Sequence, residues 1–234
     1  MNLLAFDTST DIMSIAVQGG AAEAGLHQHN AAGGAQTSTH LIPEIQRLMA
    51  LAQLRLEDLD AIVFGAGPGS FTGLRTACSV AQGLALGAAV PVLPVDTLLA
   101  VAEEARWLRG ATQEFAVTAL LDARMDELYT ARYRYTNGNW CRHSEDRLIK
   151  AEELAWNGTD ILAGNVFEGY GARLPQHADR TMALPSAAAL LRLAPALLAS
   201  GCAVPADQAI PTYIRDKVAQ TTLERMASKA GVGA

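Results

Sequence analysis

The sequence predicts an α/β protein built from two related halves, the second shorter than the first. Three observations carry this. Short apolar runs alternate with segments of helical periodicity. The pattern strand, Asp, three residues, Asp, strand occurs twice: in "NLLAFDTSTDIMSIAV" with Asp7 and Asp11, and in "VTALLDARMDELYTARY" with Asp122 and Asp126. A strand that empties into glycine also occurs twice in the same order, as "LDAIVFGAG" at 59–67 and "TDILAGN" at 159–165. Together these read as two copies of a three-strand meander followed by a βαβ unit.

The elements follow in chain order. Residues 2–6 and 12–18 are short apolar or alternating runs around the polar "DTSTD", a hairpin with Asp7 at its tip. A third strand is expected at about 24–29. "THLIPEIQRLMALAQL" places Leu41, Ile45, Leu48 and Ala52 at helical spacing, with Pro43 near the start, where its missing N–H costs little. "DAIVFGAG" is a buried strand, and a helix from Ser70 to about Leu86 follows with Ser70 as N-cap. "VPVLPV" is a further strand and 97–109 a further helix, after which the pattern restarts. The expected division is 1–110, 111–215, and a polar, small-residue tail at 216–234 with little fixed structure.

Composition narrows the function classes. Half of the 234 residues are hydrophobic and only 18% are charged, which supports a sizeable core. The net charge is −6, with fifteen Arg and three Lys, a poor balance for a stand-alone nucleic-acid binder. If RNA is involved, another chain supplies much of the positive surface. "MNLLAFDTST" has no basic leader region, and no uncharged apolar run is long enough to span a membrane. Cys78, Cys141 and Cys202 are odd in number and far apart, against a disulfide framework or zinc ribbon. A soluble cytoplasmic protein is expected.

Duplicated halves of this kind are the architecture of the actin, hexokinase and Hsp70 class, the actin-like, ribonuclease H-like (ASKHA) fold. There the first hairpin sets an Asp and hydroxyls around nucleotide phosphates and magnesium. Asp7, Thr8 and Ser9 therefore form a candidate vestigial phosphate site, or else an Asx-type turn that satisfies its own backbone. In the second copy Ala123 and Arg124 stand where the hydroxyls would be.

"GAGPGSFTGLRT" fits none of the common catalytic loops. The dinucleotide fingerprint fails at Ser70, a phosphate-binding Walker loop lacks its Gly-Lys pair, and a nucleophile elbow fails at Pro68. Beyond it, Gly73, Ala77, Ala81 and Ala85 recur every fourth residue as a small-residue stripe that permits close packing. The expected neighbour is the 39–54 helix or a second subunit.

"LLAFDTST", "THLIPEI", "LDAIVFGAGPGSFTGLRTACSVAQGLA", "LDARMDELYTARY" and "PTYIRDKVA" together resemble the bacterial TsaB family, also called YeaZ, to about residue 219. The resemblance implies a shortened actin-like fold in a non-catalytic, dimerising subunit of the machinery that makes N6-threonylcarbamoyladenosine beside the tRNA anticodon. It implies that a TsaD-like catalytic subunit transfers the threonylcarbamoyl group from its adenylate, with a TsaE-like ATPase in the cycle. ATP and metal are then expected on those partners, with none bound by this chain. tRNA is reached through the complex, and self-association through the same helices is a further expectation. Carried onto this chain, the partner surface comprises His40, Leu41, Glu44, Ile45 and Leu48, with Ser70, Phe71, Thr72, Leu74, Arg75, Cys78 and Gln82.

No catalytic or metal-ligating residue is expected. The catalytic relative holds its metal through a helical His-x-x-x-His pair, and His27, His29, His40, His143 and His177 offer no such spacing. His27 and His29, two apart on a strand, read as outward-facing surface residues. Two other classes remain for comparison: a phosphotransferase built on Asp7, Thr8 and Ser9, and a metallopeptidase, which these residues do not support.

Overall fold

A computed structural model describes residues 1–20 and 25–215; the tail expected at 216–234 lies outside the described residues. Strands β1 (Leu3–Asp7), β2 (Ile12–Gln18) and β3 (Leu26–Ala32) form an antiparallel meander, followed by helix α1 (Thr37–Leu51). Strand β4 (Ala61–Gly67), helix α2 (Phe71–Ala88), strand β5 (Val92–Asp96) and helix α3 (Thr97–Leu108) complete the first half. The second half runs β6 (Glu114–Asp122), β7 (Leu128–Thr136), β8 (Asn139–Arg142), β9 (Arg147–Ile149), β10 (Ile161–Gly164), α4 (Phe167–Tyr170), β11 (Arg180–Met182) and α5 (Ala187–Ala199).

The two sheets repeat one topology. The first has the order β3-β2-β1-β4-β5, and the second β8-β7-β6-β10-β11 with β9 added against β7. In both, the first two strands pair antiparallel, Asp7 opposite Ser14 and Asp122 opposite Leu128. In both, the next strand returns parallel to the first, Phe6 beside Phe64 and Leu120 beside Gly164. The shortening has two places: a single turn at Ala151–Glu153 stands where the first half has α1, and the four-residue α4 stands where it has α2.

Strand alternation dictates the layering. Leu4, Phe6, Ile15, Val17, Ile62 and Phe64 point to one face of the first sheet, which α1 and α2 cover with Leu41, Ile45, Leu48, Ala77, Ala81 and Ala85. Leu3, Ala5, Ala16, Ala61 and Val63 point to the other, where α5 packs with Ala187, Leu190, Leu191 and Ala194. Helix α3 turns Leu98, Val101, Ala102 and Ala105 onto Val117, Ala119, Leu121 and Ala131 of the second sheet. Thus α3 and α5 lie between the two sheets. Buried Glu103 of α3 ties this layer together. It accepts from Arg106 Nε at 2.8 Å, Arg192 Nε of α5 at 2.8 Å and Trp140 Nε1 of β8 at 3.0 Å.

The small-residue stripe bears on the choice between its two expected neighbours. Ala77, Ala81 and Ala85 are buried in the cluster that includes the chain's own first sheet. The stripe's close approach therefore serves this fold, in a cluster that α1, one of the two expected neighbours, shares. The other glycines of the segment explain how the chain can pass so near the first hairpin. An ideal Cβ on Gly73 would fall 1.8 Å from the Thr8 carbonyl oxygen, one on Gly69 2.6 Å from that of Ser9, and one on Gly65 1.8 Å from Asp7 Oδ2. Three glycines, four residues apart, seat three consecutive residues of the turn.

Adding the Cβ tests this. Gly73→Ala is expected to lower stability by roughly 1–3 kcal/mol through overpacking. Gly83→Ala, on the same helix but with nothing within 4 Å of its Cβ, should instead gain about 1 kcal/mol. Urea denaturation of both variants distinguishes the two; equal effects would contradict the seating role of Gly73.

Candidate functional site

Two places are candidates: the cleft between the halves, and the outer face of α1 and α2. The cleft is bordered by the two equivalent hairpin turns. In the first, the Asp7 carboxylate accepts on Oδ1 from the Ser9 amide at 2.9 Å and the Ser9 hydroxyl at 2.7 Å, the geometry of an Asx turn. The Thr8 hydroxyl donates to the Gly73 carbonyl at 2.7 Å, and the Ser70 amide to the Ser9 carbonyl at 2.7 Å. Asp7, Thr8 and Ser9 are all buried. The carboxylate and both hydroxyls of the candidate phosphate site are therefore turned into the protein and engaged there.

Asp7 Oδ2 has no partner. Burial without compensation disfavours the charged form, and Asp7 is pushed up from 3.8 to about 6 although the Ser9 hydrogen bonds oppose the shift. In the second hairpin, Arg124, Met125 and Asp126 all have positive φ, between 56° and 64°. From there Arg124 reaches across the cleft to Asp11 and also lies 3.4 Å from Asp122. The cavity left between the halves is about 220 Å³, lined by Ser9, Asp11, Ser70, Asp122, Arg124 and Asn165 among others. That is below the usual size of a small-molecule site. An anion entering it meets one arginine already shared by two carboxylates.

The residues expected at a partner surface divide sharply. His40, Ser70, Thr72 and Arg75 are exposed, and Glu44, Phe71 and Gln82 are partly so. Leu41, Ile45, Leu48, Leu74 and Cys78 are buried, and a direct partner contact by them is corrected. Their i, i+3, i+4 spacing directs them inward, four of them into the core beneath the two helices. Since α1 and α2 cover one face of one sheet, their outward residues share a surface, to which exposed Ile42 also belongs. Glu44 pairs with Arg47 at 2.7 Å and lies 4.0 Å from His29. His27 and His29 do share a strand face, but it is half-buried and, at His29, turned toward α1 rather than outward.

Sequence reasoning assigned no role to the residues that finish this surface. Tyr213, 45% exposed, stacks on Phe71 with centroids 5.3 Å apart, and its hydroxyl accepts from Arg75 Nε at 3.1 Å. Nothing in the local pattern of "PTYIRDKVA" could assign Tyr213 a neighbour, since Arg75 and Phe71 lie far away in the sequence. Among the described residues no three His, Cys, Asp or Glu side chains converge as a metal site would require, and no helix is long and apolar enough to cross a membrane.

Comparison with known proteins agrees with the architecture. A family model described as TsaD, tRNA N6-adenosine threonylcarbamoyltransferase, matches residues 24–166. The Escherichia coli K12 tRNA threonylcarbamoyladenosine biosynthesis protein TsaB is 32% identical over 94% of this chain and 96% of its own length. The Haemophilus influenzae protein of the same name is 32% identical over 93% and 95%. The solved structure of YeaZ from Pseudomonas aeruginosa superposes with a TM-score of 0.82 at 37% identity, covering 91% of this chain and 99% of that one. A second Pseudomonas aeruginosa structure, described as similar to peptidase YeaZ, gives 0.83 at 36% identity over 92% and 99%.

The buried carboxylate makes stability depend on pH. Its folded-state value of about 6 exceeds the ordinary 3.8, so the folded protein holds this proton more tightly than the unfolded chain. The resulting stabilisation is complete below about pH 4 and is lost as pH rises through about 6. The difference is on the order of 2–3 kcal/mol. Asp7→Asn should therefore gain stability over the wild type as pH rises to neutrality. Urea melts across that range check this, and a pH-independent gap would refute it.

Proposed function

Because the chain belongs to the TsaB (YeaZ) family of tRNA threonylcarbamoyladenosine biosynthesis proteins, we propose that it acts there as a non-catalytic subunit. It assists a TsaD-like subunit in moving the threonylcarbamoyl group from its adenylate to the adenosine next to the anticodon. The observation that carries this reading is the inward-turned Asp7–Thr8–Ser9 hairpin, whose three side chains are buried. A phosphotransferase needs those groups facing its substrate. Here the Thr8 hydroxyl holds α2 while the Asp7 carboxylate and the Ser9 hydroxyl bond each other, and the cleft they would serve is bridged by Arg124 and Asp11.

What α2 and α1 offer instead is an outer face. His40, Thr72 and Arg75 stand on it, with Phe71 and Gln82 partly exposed. We assign this face to the TsaD-like partner, and to a second copy of the chain when that partner is absent. ATP and metal belong on the TsaD-like and TsaE-like partners, and tRNA is engaged through the assembly, as the net charge of −6 favours. A tRNA-modifying role goes with the cytoplasm. Peptidase activity is not part of the proposal, since the five histidines provide no helical metal pair.

Reconstituted threonylcarbamoyl transfer to tRNA, with TsaD-like and TsaE-like partners and this chain, tests the assignment. Thr72→Arg, at an exposed position, should weaken partner binding by about tenfold or more and reduce modification while the chain stays folded. Asp7→Asn should retain modification. Leu74→Glu should instead unfold the chain, because it places a charge at a site only 1% exposed. Full modification by Thr72→Arg, or turnover by this chain alone that Asp7→Asn removes, would overturn the reading.

A further inference from the structure

After α5 the chain doubles back and straps itself across α2. Val204 forms an antiparallel bridge with Val92 of β5, with hydrogen bonds of 2.9 and 2.8 Å. A single turn at Ala206–Gln208 follows, and the Ala209 carbonyl accepts from Gln82 Nε2 at 2.9 Å and Cys78 Sγ at 3.3 Å. The Thr212 amide donates to the Ala66 carbonyl at 2.7 Å, at the end of β4. The Thr212 carbonyl lies where a Cβ on Gly67 would be, 2.4 Å from it. Arg215 then crosses to the second hairpin, donating to the Ala123 carbonyl at 3.0 Å and pairing with Glu127 at 2.8 Å.

Between these anchors, Tyr213 closes a three-residue cluster. The Arg75 guanidinium carbon sits 3.8 Å from the Phe71 ring centroid, Tyr213 stacks on that ring, and the Tyr213 hydroxyl accepts from Arg75 Nε. Among the described residues Arg75 makes no ion pair, and it is exposed on a protein whose net charge is −6. A long cation held by a ring and a hydroxyl, with its terminal N–H groups engaged by no partner among the described residues, is pre-organised for a planar anion. We propose that Tyr213 is a positioning residue of the partner surface: it fixes Arg75 to receive a carboxylate of the partner, and the strap from Ala209 to Arg215 holds Tyr213 in place. This rests on the assignment of the α1 and α2 outer face to the TsaD-like partner.

Affinity for that partner, measured by titration with the full chain, decides the matter. Tyr213→Ala should weaken binding about tenfold and Tyr213→Phe, which keeps the ring, only about threefold. Both losses should disappear in an Arg75→Ala background, because Tyr213 acts through Arg75. A strap that only stabilised the fold would give the same loss in either background, and that result overturns the inference. So does a Tyr213→Ala chain that binds as the wild type does. Should Tyr213→Ala fail to fold, Tyr213→Phe in the two backgrounds makes the same comparison. Thr72→Arg separates the two levels. If it leaves affinity unchanged, the surface assignment itself fails; if it weakens binding and the tyrosine variants do not, only the strap's role fails.

Discussion

The structure hangs on a contact between two pieces of backbone: the Thr8 carbonyl lying against Gly73, at a separation that admits no side chain. Such a contact requires glycine, and it sets everything around it. With the hairpin turn seated on the first turn of α2, the Ser9 carbonyl accepts from the Ser70 amide and the Thr8 hydroxyl donates to the Gly73 carbonyl. Groups that would otherwise face a ligand are consumed in holding a helix. The same seating fixes the rotation of α2, so that Ala77, Ala81 and Ala85 face inward while Thr72, Arg75 and Ser79 face solvent.

The duplication shows what each half kept. Strand order and pairing are the same in both sheets, yet only the first hairpin has a long helix to hold. The second, freed from that task, carries Arg124 in a left-handed turn and extends it across the cleft to Asp11. One hairpin is thus buried under its helix and the other latches onto the first. Glu103 performs a comparable joining role deeper in, between α3, α5 and β8. A buried carboxylate of that kind is tolerated because three donors surround it.

Much of this was legible from residue pattern. The alternating runs at 2–6 and 12–18, the strand at 60–67, the Ser70 cap and the paired Asp-x-x-x-Asp hairpins all appear in the structure where the pattern places them. These are local signals, and local signals survive into the fold. Helix α5 was not legible because residues 187–199 are apolar nearly all round, with Arg192 the sole charge, so no period distinguishes helix from strand. The stripe on α2 reads as a close-packing device whose neighbour is the 39–54 helix or a second subunit, and in the fold its alanines share one core cluster with the first sheet and that helix. A stripe states how near something comes and not what it is. For the same reason Leu41, Ile45, Leu48, Leu74 and Cys78, carried over by resemblance, turned out to support the surface from below. The strap was invisible for another reason: its hydrogen bonds to α2 run to residues more than a hundred positions away.

The placement of α5 has a bearing on how the chain comes to be folded at all. The inner face of the first sheet, made of Leu3, Ala5, Ala16, Ala61 and Val63, is closed by residues 187–194 of α5 together with Ala100 of α3. Contacts so distant in sequence form late, because the loop between them must be ordered first. Without α5 the N-terminal half therefore leaves much of one apolar sheet face uncovered. The repeat visible in the sequence is not a pair of independent folding units. Each sheet is completed by a helix that the other half supplies, α5 for the first and α3 for the second.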